Sequence, residues 1–285
     1  MSLPALAVLL VAAALHAGWN LLVKQAGDKQ IFTWWSLVTG TVVFVPVLAA
    51  GAPWPARVWP YALASALGEA AYFVALATAY RLADFSLAYP LARGAAPLLL
   101  ALWAVLWLGE RLRLGGVLGL IVLVCGLLAV GAAPSRKPDG TVGRPWAGIA
   151  AALAVAVLIS LYSVIDAAAV RFVAPVPYTA LVLALTALLV TPAILLRYER
   201  PALLAEWRRG WPRILLVGPL SLAAYGLVLF AYTLAPVAYA GAIREVSVVF
   251  AALAGWRWLH EPLGRRRLAG AVLICAGTLL MALAG

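Results

Sequence analysis

Of the 285 residues, 66% are apolar and 11% charged, against about 45–50% and about 25% in ordinary soluble domains, which excludes a water-soluble globular protein. The 21 Lys and Arg against 10 Asp and Glu give a formal charge of +11. Most of the basic residues stand between apolar runs, so the excess reads as membrane topology rather than nucleic-acid binding.

A helix that crosses a bilayer needs about 20 apolar residues. Walking the chain, apolar runs predict spans over residues 3–23, 31–50, 59–80, 85–108, 114–132, 145–170, 178–196, 211–234, 237–259 and 268–284, an all-α integral membrane fold of ten helices. The first run has no basic residue before it and continues through Trp19 and Leu22, so it is read as a membrane helix and not as a cleaved signal. Gly, Pro and charge mark the breaks, as in Gly51-Ala52-Pro53-Trp54-Pro55. The longest polar stretch, 134–144, is read as a cytoplasmic linker between units 1–133 and 145–285. Cys125 and Cys275 lie inside apolar runs without metal-ligand spacing.

The two units resemble each other at a fixed offset. Trp59-Pro60 recurs as Trp211-Pro212 and Tyr80 as Tyr232, 152 residues on. Arg93 recurs as Arg244, Leu108 and Glu110 as Leu259 and Glu261, Gly119 as Gly270 and Gly126 as Gly277, 151 residues on. The chain therefore reads as a tandem repeat of five helices. Five is odd, so the second copy enters the membrane from the opposite side, an arrangement found in secondary transporters that rock one repeat against the other around a midplane site. Loops after the odd-numbered spans hold 15 of the basic residues and the other loops four, which predicts a cytoplasmic place for the former and extracytoplasmic termini.

Spans four and nine end in Leu108-Gly109-Glu110-Arg111-Leu112 and Leu259-His260-Glu261-Pro262-Leu263, each followed by a short basic turn and a Gly-bearing helix. With the early His16-Ala17-Gly18-Trp19-Asn20 and Lys24, this resembles the drug/metabolite transporter superfamily, in particular its ten-helix amino-acid and metabolite exporters. The resemblance implies a multi-pass protein of a bacterial-type inner membrane that works by alternating access, with a small-molecule substrate, lipid around it, no nucleic acid and no cofactor. The similarity to bacterial aromatic amino-acid exporters, together with the richness in Trp and Tyr, directs the substrate expectation to aromatic or large neutral amino acids. Exporters of lipophilic cations or of other metabolites share the scaffold. The chain is expected to be a monomer, with a dimer left open.

Ionisable groups inside hydrocarbon are costly and face the bundle interior or water. His16, Trp19 and Asn20 share one face of span one, either a cavity wall or a helix-packing hydrogen bond with an interfacial Trp. Glu69 lines up with Tyr72, Phe73, Leu76 and Tyr80 at helical spacing, and Ser221, Tyr225 and Tyr232 form the counterpart face. Buried alone, Glu69 could carry a coupling proton or meet an amine; the alternative is a structural partner for Arg93 or Arg244. Tyr162 and Ser163 take the place of the span-one trio in the second copy. Asp166, one turn from Tyr162, either belongs to the same interior group or is solvated near the membrane surface beside Arg171, the second being the favoured reading. Arg93, between Tyr89-Pro90 and Pro97, and Arg244, after Gly241, occupy one repeat position. They could clamp a substrate carboxylate, or the repeats could be locked by Arg244 pairing with Glu69 or Asp166 while Glu245 pairs elsewhere. The expected binding set is thus His16, Trp19, Asn20, Glu69, Tyr72, Phe73, Tyr89, Arg93, Tyr162, Tyr225 and Arg244, with no catalytic or metal site.

Glu110 and Glu261 are expected to cap or bridge at span ends. Gly115, Gly116, Gly119, Gly126, Gly270 and Gly277 suit close helix packing, at the repeat interface or in a dimer. HExxH, GxSxG and Walker-type sequences are lacking, which argues against hydrolytic chemistry and direct ATP use. A scaffold subunit without transport remains the third class.

Overall fold

A computed structural model describes residues 1–51, 53–82, 85–131, 145–259 and 265–284; the expected linker, His260 and Glu261 lie outside them. Among the described residues the regular structure is helical throughout. In chain order the helices are α1 (Leu3–Lys24), α2 (Lys29–Val43), α3 (Val45–Gly51), α4 (Val58–Leu82), α5 (Phe85–Leu108), α6 (Leu114–Gly131), α7 (Pro145–Ala169), α8 (Pro175–Arg197), α9 (Arg200–Tyr232), α10 (Val237–Ile243), a 3-10 turn (Arg244–Val246), α11 (Ser247–Leu259) and α12 (Arg265–Ala284). Four of them, α1, α7, α8 and α9, are long and apolar enough to cross a membrane, and shorter apolar stretches lie in α5, α6 and α12. Large apolar side chains stand outward along most of them, among them Leu188, Leu196 and Leu283.

Three boundaries differ from the sequence reading. The second expected span is interrupted at Phe44, where Pro46 at the start of α3 removes a backbone donor. The eighth begins at Arg200 rather than 211, because Pro201 suits a first helical turn and Glu206 and Trp207 continue the helix as a polar extension. The ninth is broken at Arg244, whereas its counterpart α5 runs unbroken through Pro90 and Pro97.

Packing between the two units is reciprocal. Helix α1 packs on α9 as α7 packs on α4; α1 packs on α10 and α11 as α7 packs on α5; α2 lies on α9 as α8 lies on α4. The equivalent helices α6 and α12 pack on each other. They run antiparallel: Gly115 faces Ala284, a methyl built on Gly119 would fall 2.8 Å from the Gly277 carbonyl oxygen, and one on Gly126 would fall 2.7 Å from that of Gly270. Gly119 thus meets the repeat equivalent of Gly126, and Gly126 that of Gly119, the self-complementary pattern of a two-fold relation. The glycine stripe therefore serves the seam between the units, at backbone-to-backbone distance. A second close crossing joins α2 to α9 at Gly40 and Gly218.

Candidate functional site

Helices of both units surround a cavity of about 2130 Å³. One end carries the exposed Lys24, Lys29, Arg197, Arg265 and Arg266 on its wall. The far end of the bundle is stitched. The Glu110 carboxylate accepts from the Val237 and Ala238 amides at 2.5 and 3.1 Å, capping α10, and Tyr239 Oη accepts from the Arg113 amide at 2.9 Å. The guanidinium of Arg57 lies 4.5 Å from the Phe172 ring centre, and Arg171 Nη2 donates to the Leu108 carbonyl at 3.2 Å.

Helix α1 contributes an aromatic face. His16 and Trp19 meet edge to face at 4.8 Å, and Asn20 Nδ2 donates back to the His16 carbonyl at 2.7 Å. The Trp19 indole N–H, buried, has no acceptor among the described residues.

Helices α4, α7 and α9 form a second wall. Tyr72 meets Phe73 at 5.6 Å and Tyr162 at 6.3 Å, and Tyr162 meets Tyr225 at 6.2 Å, all near-perpendicular. Glu69 lines the same cavity, and its Oε2 accepts from Thr186 Oγ1 at 2.9 Å. Asp166 sits behind Tyr225, fully buried, and takes hydrogen bonds from the hydroxyls of Tyr178, at 2.8 Å, and Tyr225. The expectation of a solvated Asp166 beside Arg171 is therefore corrected: α8 turns back on α7 and carries Tyr178 over the carboxylate.

The guanidiniums of Arg93 and Arg244 line the same cavity. Arg93 Nε is 2.9 Å and Arg244 Nε 3.6 Å from separate oxygens of Glu245, which is 1% exposed. Arg93 Nη2 also donates to Ser247 Oγ at 3.4 Å. Where the lock reading gave Arg244 to Glu69 or Asp166 and Glu245 to another partner, the structure sets Glu245, in the 3-10 turn, next to both Arg244 and Arg93. Tyr162 lines the cavity together with Glu69, Arg93 and Arg244.

Residues 3–132 match the EamA-like transporter family, and so, a second time, do residues 146–283. The chain belongs to that family. Two family matches, one per unit, agree with the tandem repeat and with the superfamily resemblance of the sequence. No curated protein matches the chain. A solved crystal structure is similar over 100% of this chain and 98% of its own, with 23% identity and a TM-score of 0.78; that likeness concerns the fold alone.

This EamA-like protein brings His16, Trp19, Asn20, Glu69, Tyr72, Phe73, Arg93, Tyr162, Tyr225 and Arg244 to one cavity. The side chain of Tyr89 lies outside those described. Sequence reading missed Asp166 as a buried hub, Thr186 as the partner of Glu69, and Glu245 with Ser247 as the partners of Arg93. The one available signal was an acid directly beside an intramembrane arginine, Arg244-Glu245, which an isolated helix in lipid would not tolerate without a partner.

Proposed function

We propose that this protein is a secondary transporter that exports small metabolites from the cytoplasm, foremost aromatic or large neutral amino acids, by alternating access across an inner membrane. One observation carries the reading: a single cavity lined by both units holds two guanidiniums, a carboxyl group and a set of aromatic rings. A zwitterion with a flat apolar side chain matches that pattern. Its carboxylate suits Arg244 and Arg93, its ammonium suits Glu69, and its ring suits the edges of Tyr72, Tyr162 and Tyr225. Trp19 Nε1 supplies a further donor. The antiparallel α6 and α12 and the reciprocal packing support two units inverted across the membrane, ten spans in all, and the distribution of basic residues supports a cavity that opens to the cytoplasm.

The test is counterflow in proteoliposomes with labelled phenylalanine, leucine, a lipophilic cation and a nucleotide sugar. Preferential exchange of phenylalanine is expected, with Arg244→Gln and Trp19→Ala each raising KM about 10-fold or more. Equal exchange of every class, or unchanged kinetics in both variants, would reject the site.

A second reading rests on Glu69, whose carboxylate meets the Thr186 hydroxyl and no cation among the described residues. It is a proton-coupled exporter of lipophilic cations, with Glu69 as the exchanging carboxyl. Exchange of the lipophilic cation left intact by Glu69→Gln counts against that reading.

A further inference from the structure

We propose that the basic rim of the cavity is a steering vestibule that gathers solutes bearing a carboxylate and turns away solutes whose only charge is positive. The inference rests on reading the cavity as the path of the solute, and it narrows the substrate class within that reading. Lys24 ends α1, Lys29 opens α2, Arg197 ends α8, and Arg265 and Arg266 open α12. These five, far apart in sequence, are brought to one mouth and all line the cavity.

Membrane topology alone does not require that convergence. The positive-inside bias is satisfied by basic residues anywhere in the flanking loops, and Arg200 and Arg208, on the polar extension of α9, satisfy it off the cavity wall. Two acids stand by this rim among the described residues: Asp28, which caps α2 by accepting from the Gln30 and Ile31 amides at 2.8 and 3.1 Å, and Glu206, which accepts from the Gly27 and Asp28 amides at 3.0 Å each; the five cations outnumber them. A cleft lined by one sign of charge between apolar walls concentrates the field along its axis. Away from the rim, Arg93 and Arg244 add the same sign to the cavity lining, where Glu69 is also found. A carboxylate is thus attracted at the rim and again at the cavity wall, whereas an amine without a carboxylate meets repulsion before it reaches Glu69. Because the rim groups are exposed, their field decays over about 8 Å at physiological ionic strength, so the selection weakens in salt.

The experiment measures equilibrium binding of labelled 3-phenylpropionate, phenylalanine and phenethylamine to the full chain in detergent, at about 20 mM and about 500 mM salt. These three ligands share a ring and differ in charge. At low salt the expected order is propionate and phenylalanine well above phenethylamine. High salt should weaken the propionate roughly 3- to 10-fold, and the pair Lys29→Gln and Arg197→Gln should do the same at low salt. Arg200→Gln with Arg208→Gln, equally basic but off the wall, should leave all three within roughly twofold. Phenethylamine binding as tightly as the carboxylates, a salt-independent propionate affinity in the unaltered chain, or no binding of any of the three overturns the vestibule. Binding in the expected order without flux in liposomes would remove the transport reading and leave the vestibule standing.

Discussion

The two copies of the fourth span began as the same helix and are no longer equivalent. Helix α5 runs straight through Arg93, while its counterpart tightens into a 3-10 turn at Arg244 before resuming as α11. The repeat position after the arginine is Gly94 in the first copy and Glu245 in the second, and the position of Ala96 is taken by Ser247. Gly94 packs against Leu128, and Arg93 draws its acid and its hydroxyl from the other copy. The duplication supplied two guanidiniums, and only one copy supplies the carboxylate that both approach. Asymmetry of this kind ties the copies together through charge where the glycine seam ties them through shape.

The sharpest way to break the contrast is to remove the shared acid. Glu245→Ala removes the buried acid that Arg93 and Arg244 share, and a loss of about 3–5 kcal/mol is expected, visible as the largest fall in thermal unfolding temperature of any single variant in detergent. Next come the mirrored glycines. Gly119→Leu and Gly277→Leu drive a side chain into backbone on the partner helix, each costing roughly 1–3 kcal/mol or more; similar losses support the two-fold seam, and a tolerated variant on either side contradicts it. Glu110→Gln replaces the carboxylate that caps α10 and should cost about 1 kcal/mol, with limited proteolysis near Pro236 rising accordingly. The smallest effect is expected at Gly94→Ala. Its added methyl would sit 3.2 Å from the end of the flexible Leu128 side chain, so a shift below about 1 kcal/mol in chemical denaturation would show that the first copy has no hidden demand at this position.

How much of this was legible differs by kind of feature. The repeat was legible because glycines and arginines recur at fixed intervals regardless of folding, and the same glycines predicted tight packing, though not which surface would use it. The cavity-facing stripes of α1 and α4 followed from helical spacing. What could not be read were partnerships across long sequence separations. Nothing near Asp166 announces that Tyr178 and Tyr225 will close over it, since the first depends on how α8 folds back and the second on a helix of the same unit some 59 residues away. The breakers flanking both arginines, Pro90 and Pro97 in one copy and Gly241 in the other, left open which helix would be interrupted; α5 is continuous, and the 3-10 turn falls at Arg244. Glu206, which holds the Gly27 and Asp28 amides at 3.0 Å each, lay in a stretch that composition assigned to a loop.

Along the α6 and α12 contact a methyl built on Gly277 would fall 2.5 Å from the Gly119 carbonyl oxygen. Main chain resting on main chain makes that line a spacer whose thickness is fixed by the peptide unit itself, and every wall built outward from the two helices inherits the spacing.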